Sequence, residues 1–349
     1  MKKIAVICAY SAGRNPGMIS SDLAFMSVHK RIGQEYSVTF LCAELKYTIS
    51  HAQYPIHYEL LSDQKQLHEF DLIVYWGDFI HWIGYAFQDW LPRHQIIHPS
   101  HSEQSILDLW YKLFLLEGAP DLQKKTLIFG GTLYALNAKQ LSDERYVSAL
   151  TSLYKNVKLA LLRDELSANL MSQLIPGIGD FFGCDCALLM TNNLPGVERT
   201  TQERYVLCSF GRSDSSAAMP GFAIKIAEKM GLKLIYMDWL GQPFGMDAFQ
   251  NRLKMVCGAE LVITDIYHLS VNSWREGVPA ICIGKGAGNP TDTLSDKKKE
   301  IFYRQMFGAE WYLYLEDLLE NQTRLAYWVC VNANPSIDGD CSAKNLVPI

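Results

Sequence analysis

Short apolar runs closed by Gly, Asp or Ser recur along the first half of the chain. They are Ile4–Ala9, Ser37–Cys42, Leu72–Tyr75, Thr126–Phe129, Lys158–Leu162 and Ala187–Met190. After a polar interval the pattern restarts at Tyr205–Ser209, Lys233–Met237, Leu261–Thr264 and Ala280–Ile283. Runs this short, apolar on both faces, predict parallel strands buried between helical layers. Between them, apolar positions fall at helical spacing over Ile19–Ile32, Ser105–Leu116, Ser142–Tyr154 and Glu165–Leu174. The same spacing returns over Gly221–Met230, Met246–Cys257 and Ser270–Glu276. Alternation of strand and helix in both halves predicts an α/β fold of two doubly wound, Rossmann-like domains facing across a cleft. The turn-rich stretch Thr191–Gln202 marks the seam. The expected division is an N-terminal domain over 1–192, a C-terminal domain over 193–331 and an irregular tail over 332–349.

Composition narrows the function. The 349 residues are 49% hydrophobic and 20% charged, enough for two cores. A formal net charge of -5 argues against a nucleic-acid protein, which needs a basic face, but leaves room for a small anionic ligand held by a few donors. The nine cysteines are scattered without paired spacing, as expected of reduced thiols in the cytoplasm. The apolar run after Met1-Lys2-Lys3 is too short for a secretory segment, and no window of about 18 apolar residues is present to span a membrane. His94, His98 and His101 invite a metal reading, but Pro99 breaks any helix that would align them, so no metal is expected.

Ligands of open parallel sheets sit beyond the carboxyl ends of the strands, so the loops after each strand carry the candidate chemistry. In the first half, Asn15-Pro16-Gly17 before a helix suits a backbone cradle for an anion or sugar. Trp76-Gly77-Asp78 opens an aromatic cluster with a polar group inside it, and Gly130-Gly131 permits close backbone approach. These loops, with Asn15, Gly17, Asp78, Gly130 and Gly131, are the expected acceptor side. Arg163, at the end of its strand, is suited to a carboxylate or phosphate; a solvated cap pairing it with Asp164 or Glu165 is the plainer alternative. In the second half, Ser209-Phe210-Gly211-Arg212 offers hydroxyl, glycine and guanidinium for a donor anion, without matching any Walker or dinucleotide pattern. Thr264-Asp265-Ile266-Tyr267-His268 is the strongest candidate. A histidine in the first turn of a helix feels the positive end of the dipole, which favours its neutral, proton-accepting form. A buried histidine bonded to Asp265 is the alternative. The run Ser295–Ile301, with three lysines, reads as a solvated face.

Five of these segments, in order, resemble the polysaccharide pyruvyl transferase family: Asn15-Pro16-Gly17, Gly77–Trp82, Arg163–Ser167, Asp185–Leu189 and Thr264–His268 followed by Gly277-Val278-Pro279. Ile266 stands where that pattern has Ser or Arg, and Cys186 where it has Pro. The resemblance implies a GT-B-like architecture and transfer of a pyruvyl group from phosphoenolpyruvate, as donor substrate, to two hydroxyls of a sugar. It implies a role in polysaccharide or exopolysaccharide biosynthesis with no cofactor. It carries catalytic roles onto His268 and Arg163, with Asp265 tuning the histidine, and points to Tyr267 and the offset Lys285 beside Ser209, Gly211 and Arg212 on the donor side. The implied partners are a small-molecule donor and a sugar or lipid-linked oligosaccharide acceptor. A lipid-linked acceptor would bring the protein to the inner face of the membrane as a peripheral contact. The oligomeric state stays open. The alternative is a GT-B glycosyltransferase using a nucleotide sugar, and a non-catalytic glycan-binding protein is the third reading.

Overall fold

The computed structural model describes residues 1–9, 11, 15–33, 35–44, 56–77, 79–191, 197, 204–212, 218–243, 245–286, 294–306 and 308–333. Asp78, Ser213–Ser216 and most of the expected seam and tail lie outside the described residues. The chain divides into two compact units. One is Met1–Arg14 with Met18–Met190, and the other is Asn15–Gly17 with Thr191–Ile349.

The first unit is built on six strands: β1 (Lys2–Cys8), β2 (Tyr36–Cys42), β3 (Tyr58–Leu60), β4 (Leu72–Trp76), β5 (Thr126–Phe129) and β6 (Leu159–Leu161). Every pairing is parallel, in the order β3-β2-β1-β4-β5-β6. That is the order of dinucleotide-binding sheets, with its switch point between β1 and β4. Its helices are α1 (Pro16–Ile32), α2 (Ile83–Tyr85), α3 (Leu91–Ile97), α4 (Glu103–Phe114), α5 (Pro120–Gln123), α6 (Ala138–Leu141), α7 (Glu144–Asn156) and α8 (Glu165–Leu174). Side-chain oxygens start several of them: Ser102 accepts from the Ser105 amide, Asp143 from Tyr146 and Asp164 from Ser167. The core is aromatic. Trp90, Trp110, Tyr75, Tyr146, Tyr154 and Phe114 are all fully buried in it.

The second unit has five strands: β7 (Tyr205–Ser209), β8 (Lys233–Tyr236), β9 (Leu261–Thr264), β10 (Ala280–Gly284) and β11 (Tyr312–Tyr314). These are also parallel throughout, in the order β11-β10-β9-β7-β8. Counted within the unit this is the flavodoxin-like order, and its switch point lies between β7 and β9. Helices α9 (Ala218–Met230), α10 (Met246–Gly258), α11 (Tyr267–Arg275), α12 (Leu294–Met306) and α13 (Leu315–Ala333) complete it.

The two doubly wound sheets expected from the hydrophobic pattern are therefore present. Three details differ. The run Ala187–Met190 is not a strand: Cys186–Leu189 forms a single 3-10 turn whose start is capped by the Asp185 carboxylate. Four apolar residues satisfy the pattern of a strand or a buried turn equally well, and the aspartate decides for the turn. Of the three three-residue strands, β6 falls within the apolar run Lys158–Leu162, while β3 and β11 did not stand out. The lysine run is not wholly solvated either. Lys299 is fully buried, with its Nζ 2.7 Å from Asp296 Oδ1 one turn earlier on α12.

No described helix is long and apolar enough to cross a membrane.

Candidate functional site

The switch point of the second sheet brings together the two segments that the sequence singled out there. Strand β9 ends at Thr264, and α11 begins at Tyr267, so His268 lies in the first helical turn. Ile266 occupies the capping position and offers no side-chain acceptor. Its own amide donates to Thr264 Oγ1 (3.0 Å), while the Thr264 hydroxyl donates to the Ser209 carbonyl on β7 (2.6 Å). Ser209 and Thr264 are register partners, so this bond ties the two strand ends directly. The Ser209 Oγ accepts from the Trp239 amide at 3.1 Å, which links in the loop after β8. That loop is latched further by Arg252 of α10, whose guanidinium donates to the carbonyls of Asp238, Gly241 and Pro243.

Asp265 is fully buried, and its carboxylate reaches across the switch point. Oδ1 accepts from the Gly211 amide (2.9 Å), and Oδ2 accepts from the Arg212 amide (2.7 Å). Arg212 itself is exposed at the end of the turn. The Tyr267 ring is buried, lies edge-on to the His268 ring at 4.9 Å, and carries Lys298 Nζ 4.0 Å over its face. Asn15–Gly17 group with this same unit. There the Gly17 amide donates to Asn15 Oδ1 (3.0 Å), and a Cβ on Gly17 would fall 2.2 Å from the His268 ring. Glycine is required at that position for the imidazole to hold its place.

Lys285 follows β10 and is half-buried. Beside it lies a group the sequence reading missed: Glu316, in the first turn of α13 directly after β11, accepts from the Gly286 amide at 3.2 Å. The signal was present as an acidic pair, Glu316-Asp317, closing the β11 run. The carboxyl edge of this sheet thus carries an imidazole, three cationic side chains and a carboxylate. Such a set can hold a phosphate-bearing donor and exchange a proton with a hydroxyl.

In the first unit the expected residues meet a different environment. Arg163 is buried, with Nη1 3.9 Å from the equally buried Asp185 and its guanidinium 5.4 Å over the Phe79 ring. Asp164, the cap of α8, accepts from Thr132 Oγ1 (2.5 Å), and Ser167 Oγ accepts from the Leu133 amide (2.8 Å). The amides of Gly77, Gly130 and Arg163 continue the sheet ladder through Phe129, Leu161 and Gly131. Gly130 has φ +72°, and a Cβ there would come 2.5 Å from Cys186 Sγ. The side chain that approaches this glycine is therefore a cysteine of the chain itself. Burial, reinforced by Asp185, pushes the Cys184 thiol up to about 11 and holds Cys186 well above its usual range, so neither is a thiolate at neutral pH. Trp76 stacks on Phe129 at 5.0 Å and donates to the Ser21 carbonyl (2.7 Å), as a core residue does.

His81, four residues beyond Gly77, is buried with Nδ1 3.1 Å from Tyr154 Oη and with Nε2 lacking any partner. Burial pushes its pKa down to about 3. Among the described residues no three His, Cys, Asp or Glu side chains converge to hold a metal ion.

No protein-family model matches the chain, and no curated protein matches it. Among solved structures, the chain is similar to S. aureus MnaA in a co-structure with UDP, at 12% identity over 97% of this chain and 93% of that one (TM-score 0.49). It is similar to a UDP-GlcNAc 2-epimerase from Methanocaldococcus jannaschii at 10% identity over 95% and 93% (TM-score 0.46). An alpha-glucosyltransferase in complex with UDP and DNA matches at 9% identity over 93% and 90% (TM-score 0.45). None of the three is described as a pyruvyl transferase.

Proposed function

We propose that this chain is a sugar-modifying transferase that takes a nucleotide sugar on the carboxyl edge of its second sheet. The observation that carries the reading is Glu316, which stands beside Lys285 and Gly286 where β10 and β11 end. A carboxylate at this edge suits the vicinal hydroxyls of a ribose, which donate to it, while nearby cations suit the diphosphate. Phosphoenolpyruvate has no ribose and gives such a group nothing to bind.

In this reading Arg212, Lys285 and Lys298 attract the diphosphate. An acceptor hydroxyl attacks the anomeric carbon, the bond from that carbon to the phosphate oxygen breaks, and the nucleoside diphosphate leaves with the electron pair. His268 takes the hydroxyl proton. A neutral imidazole in the first turn of a helix is suited to that step.

A second reading is pyruvyl transfer from phosphoenolpyruvate, favoured by the ordered run of short motifs ending in Thr264–His268. There His268 would deliver a proton to the methylene carbon, and two sugar hydroxyls would close the ketal as phosphate departs.

A thermal-shift screen of UDP, ADP and GDP against phosphoenolpyruvate tests the choice. A nucleoside diphosphate at a hundred times its Kd stabilises by about 2.7 kcal/mol, a shift of a few degrees. Glu316→Ala should abolish that shift yet leave any response to inorganic pyrophosphate. A shift with phosphoenolpyruvate alone would move the assignment to the second reading, and no shift with either donor would remove both.

A further inference from the structure

Asp265 was expected to tune His268; in the structure its two oxygens also accept from the loop on the other side of the switch point. Two successive amides, those of Gly211 and Arg212, converge on one fully buried carboxylate at 2.9 and 2.7 Å. Successive N–H groups after a strand are the usual cradle for a ligand anion. Here the cradle already contains an anion, supplied by the chain itself. A phosphate placed on the same amides would have to share the space of a carboxylate, and two like charges at such distances repel. The backbone conformation agrees: Gly211 has φ +145°, and the neighbouring Ser209 is fixed through both its carbonyl and its hydroxyl. The segment from Ser209 to Arg212 is thus anchored in place before any ligand arrives. What it presents outward is the exposed side chain of Arg212.

We infer that Asp265 is a positioning residue: it occupies the Gly211 and Arg212 amides and thereby aims the Arg212 guanidinium at the donor's phosphates. The inference rests on the donor site proposed above only in naming the phosphate as Arg212's target. The donor's anionic group is met by side chains, not by the backbone of this turn. A guanidinium whose backbone is held rigid loses less freedom on binding than one carried on a loose loop.

A double-mutant cycle with Asp265→Asn, Arg212→Ala and the pair tests this, reading the affinity for inorganic pyrophosphate and for the nucleoside diphosphate by calorimetry. Arg212→Ala should weaken binding about tenfold or more, and Asp265→Asn by a similar factor. The pair should be no weaker than Arg212→Ala alone, because Asp265 acts through that side chain. Losses that multiply would overturn the inference.

Hydrogen exchange of the peptide containing 210–212 is read on the same proteins without ligand. Asp265→Asn should speed exchange at Gly211 and Arg212, and unchanged exchange would also overturn the positioning role. If the unaltered protein binds neither probe, the donor reading fails while the exchange result still decides the role of Asp265. Should Asp265→Asn not fold, Asp265→Glu, which moves the carboxylate by one methylene, takes its place in both measurements.

Discussion

The carboxyl edges of the two sheets are built from similar residue types and end up with different characters. At the edge of the first sheet the glycine and arginine expected to meet a ligand, Gly130 and Arg163, have close neighbours within the fold. Cys186 packs into the space over Gly130, and Arg163 faces Asp185 with both nearly excluded from water. At the edge of the second sheet the backbone is tied just as firmly, through Thr264, Asp265 and Ser209, yet Arg212 is exposed and Lys285, Lys298 and His268 are half-buried. The difference is in which partners are internal. Where a polar side chain is buried against its counter-group, it stabilises the edge; where a side chain stays exposed, as Arg212 does, it remains within reach of a ligand.

The sharpest way to break this comparison is at Gly130. With φ +72° and a Cβ position 2.5 Å from Cys186 Sγ, alanine there combines a disfavoured backbone with overpacking. Gly130→Ala should cost about 2–4 kcal/mol in denaturant unfolding. Adding Cys186→Ala should restore the part due to the clash and leave the backbone part. If Gly130→Ala leaves stability unchanged but blocks a sugar acceptor, the first edge is a binding surface after all.

The two arginines give a smaller and more direct contrast. Arg163→Ala removes the cation beside the buried Asp185, which keeps the Ala187 amide, and should lower stability by about 2–3 kcal/mol, partly restored by Asp185→Asn, since a buried charge without a counter-ion is costly. Arg212→Ala, at an exposed position, should change stability by less than about 0.5 kcal/mol. Paired unfolding curves and donor titrations of the two variants measure this. Donor binding lost with Arg163 at full stability would reverse the comparison.

Much of the architecture was legible because buried parallel strands announce themselves as short apolar runs. Thr126–Phe129, Tyr205–Ser209 and Leu261–Thr264 begin and end where the pattern places them. What stayed hidden depends on partners distant in sequence. No local pattern says that Asp265 binds the Gly211 amide, or that Arg163 comes to lie beside Asp185. The Asp296–Lys299 pair shares a helix face at a spacing of three, but burial of that face is set by the sheet beneath it. Glu316 went unnoticed because β11, the strand that places it, is three residues long.

The last contrast is one of pH dependence at His81, and it separates a structural histidine from a catalytic one. Its pKa in the folded protein is about 3, against an ordinary value of 6.5, because burial disfavours the charged ring. A histidine depressed in this way contributes its full stabilisation above pH 6.5. The contribution falls as the pH drops from there toward 3, where the unfolded chain binds a proton that the folded chain refuses. The slope from this one group is about 1.4 kcal/mol per pH unit. Other groups titrate over the same range, so the measurement is the difference in pH dependence of unfolding between the protein and His81→Phe. The variant should unfold with a shallower acid dependence, offset by a constant cost for the Tyr154 hydroxyl that loses its partner. Parallel curves would mean that the ring is protonated within the fold, and that the orphaned Nε2 has a partner the packing of this aromatic core does not provide.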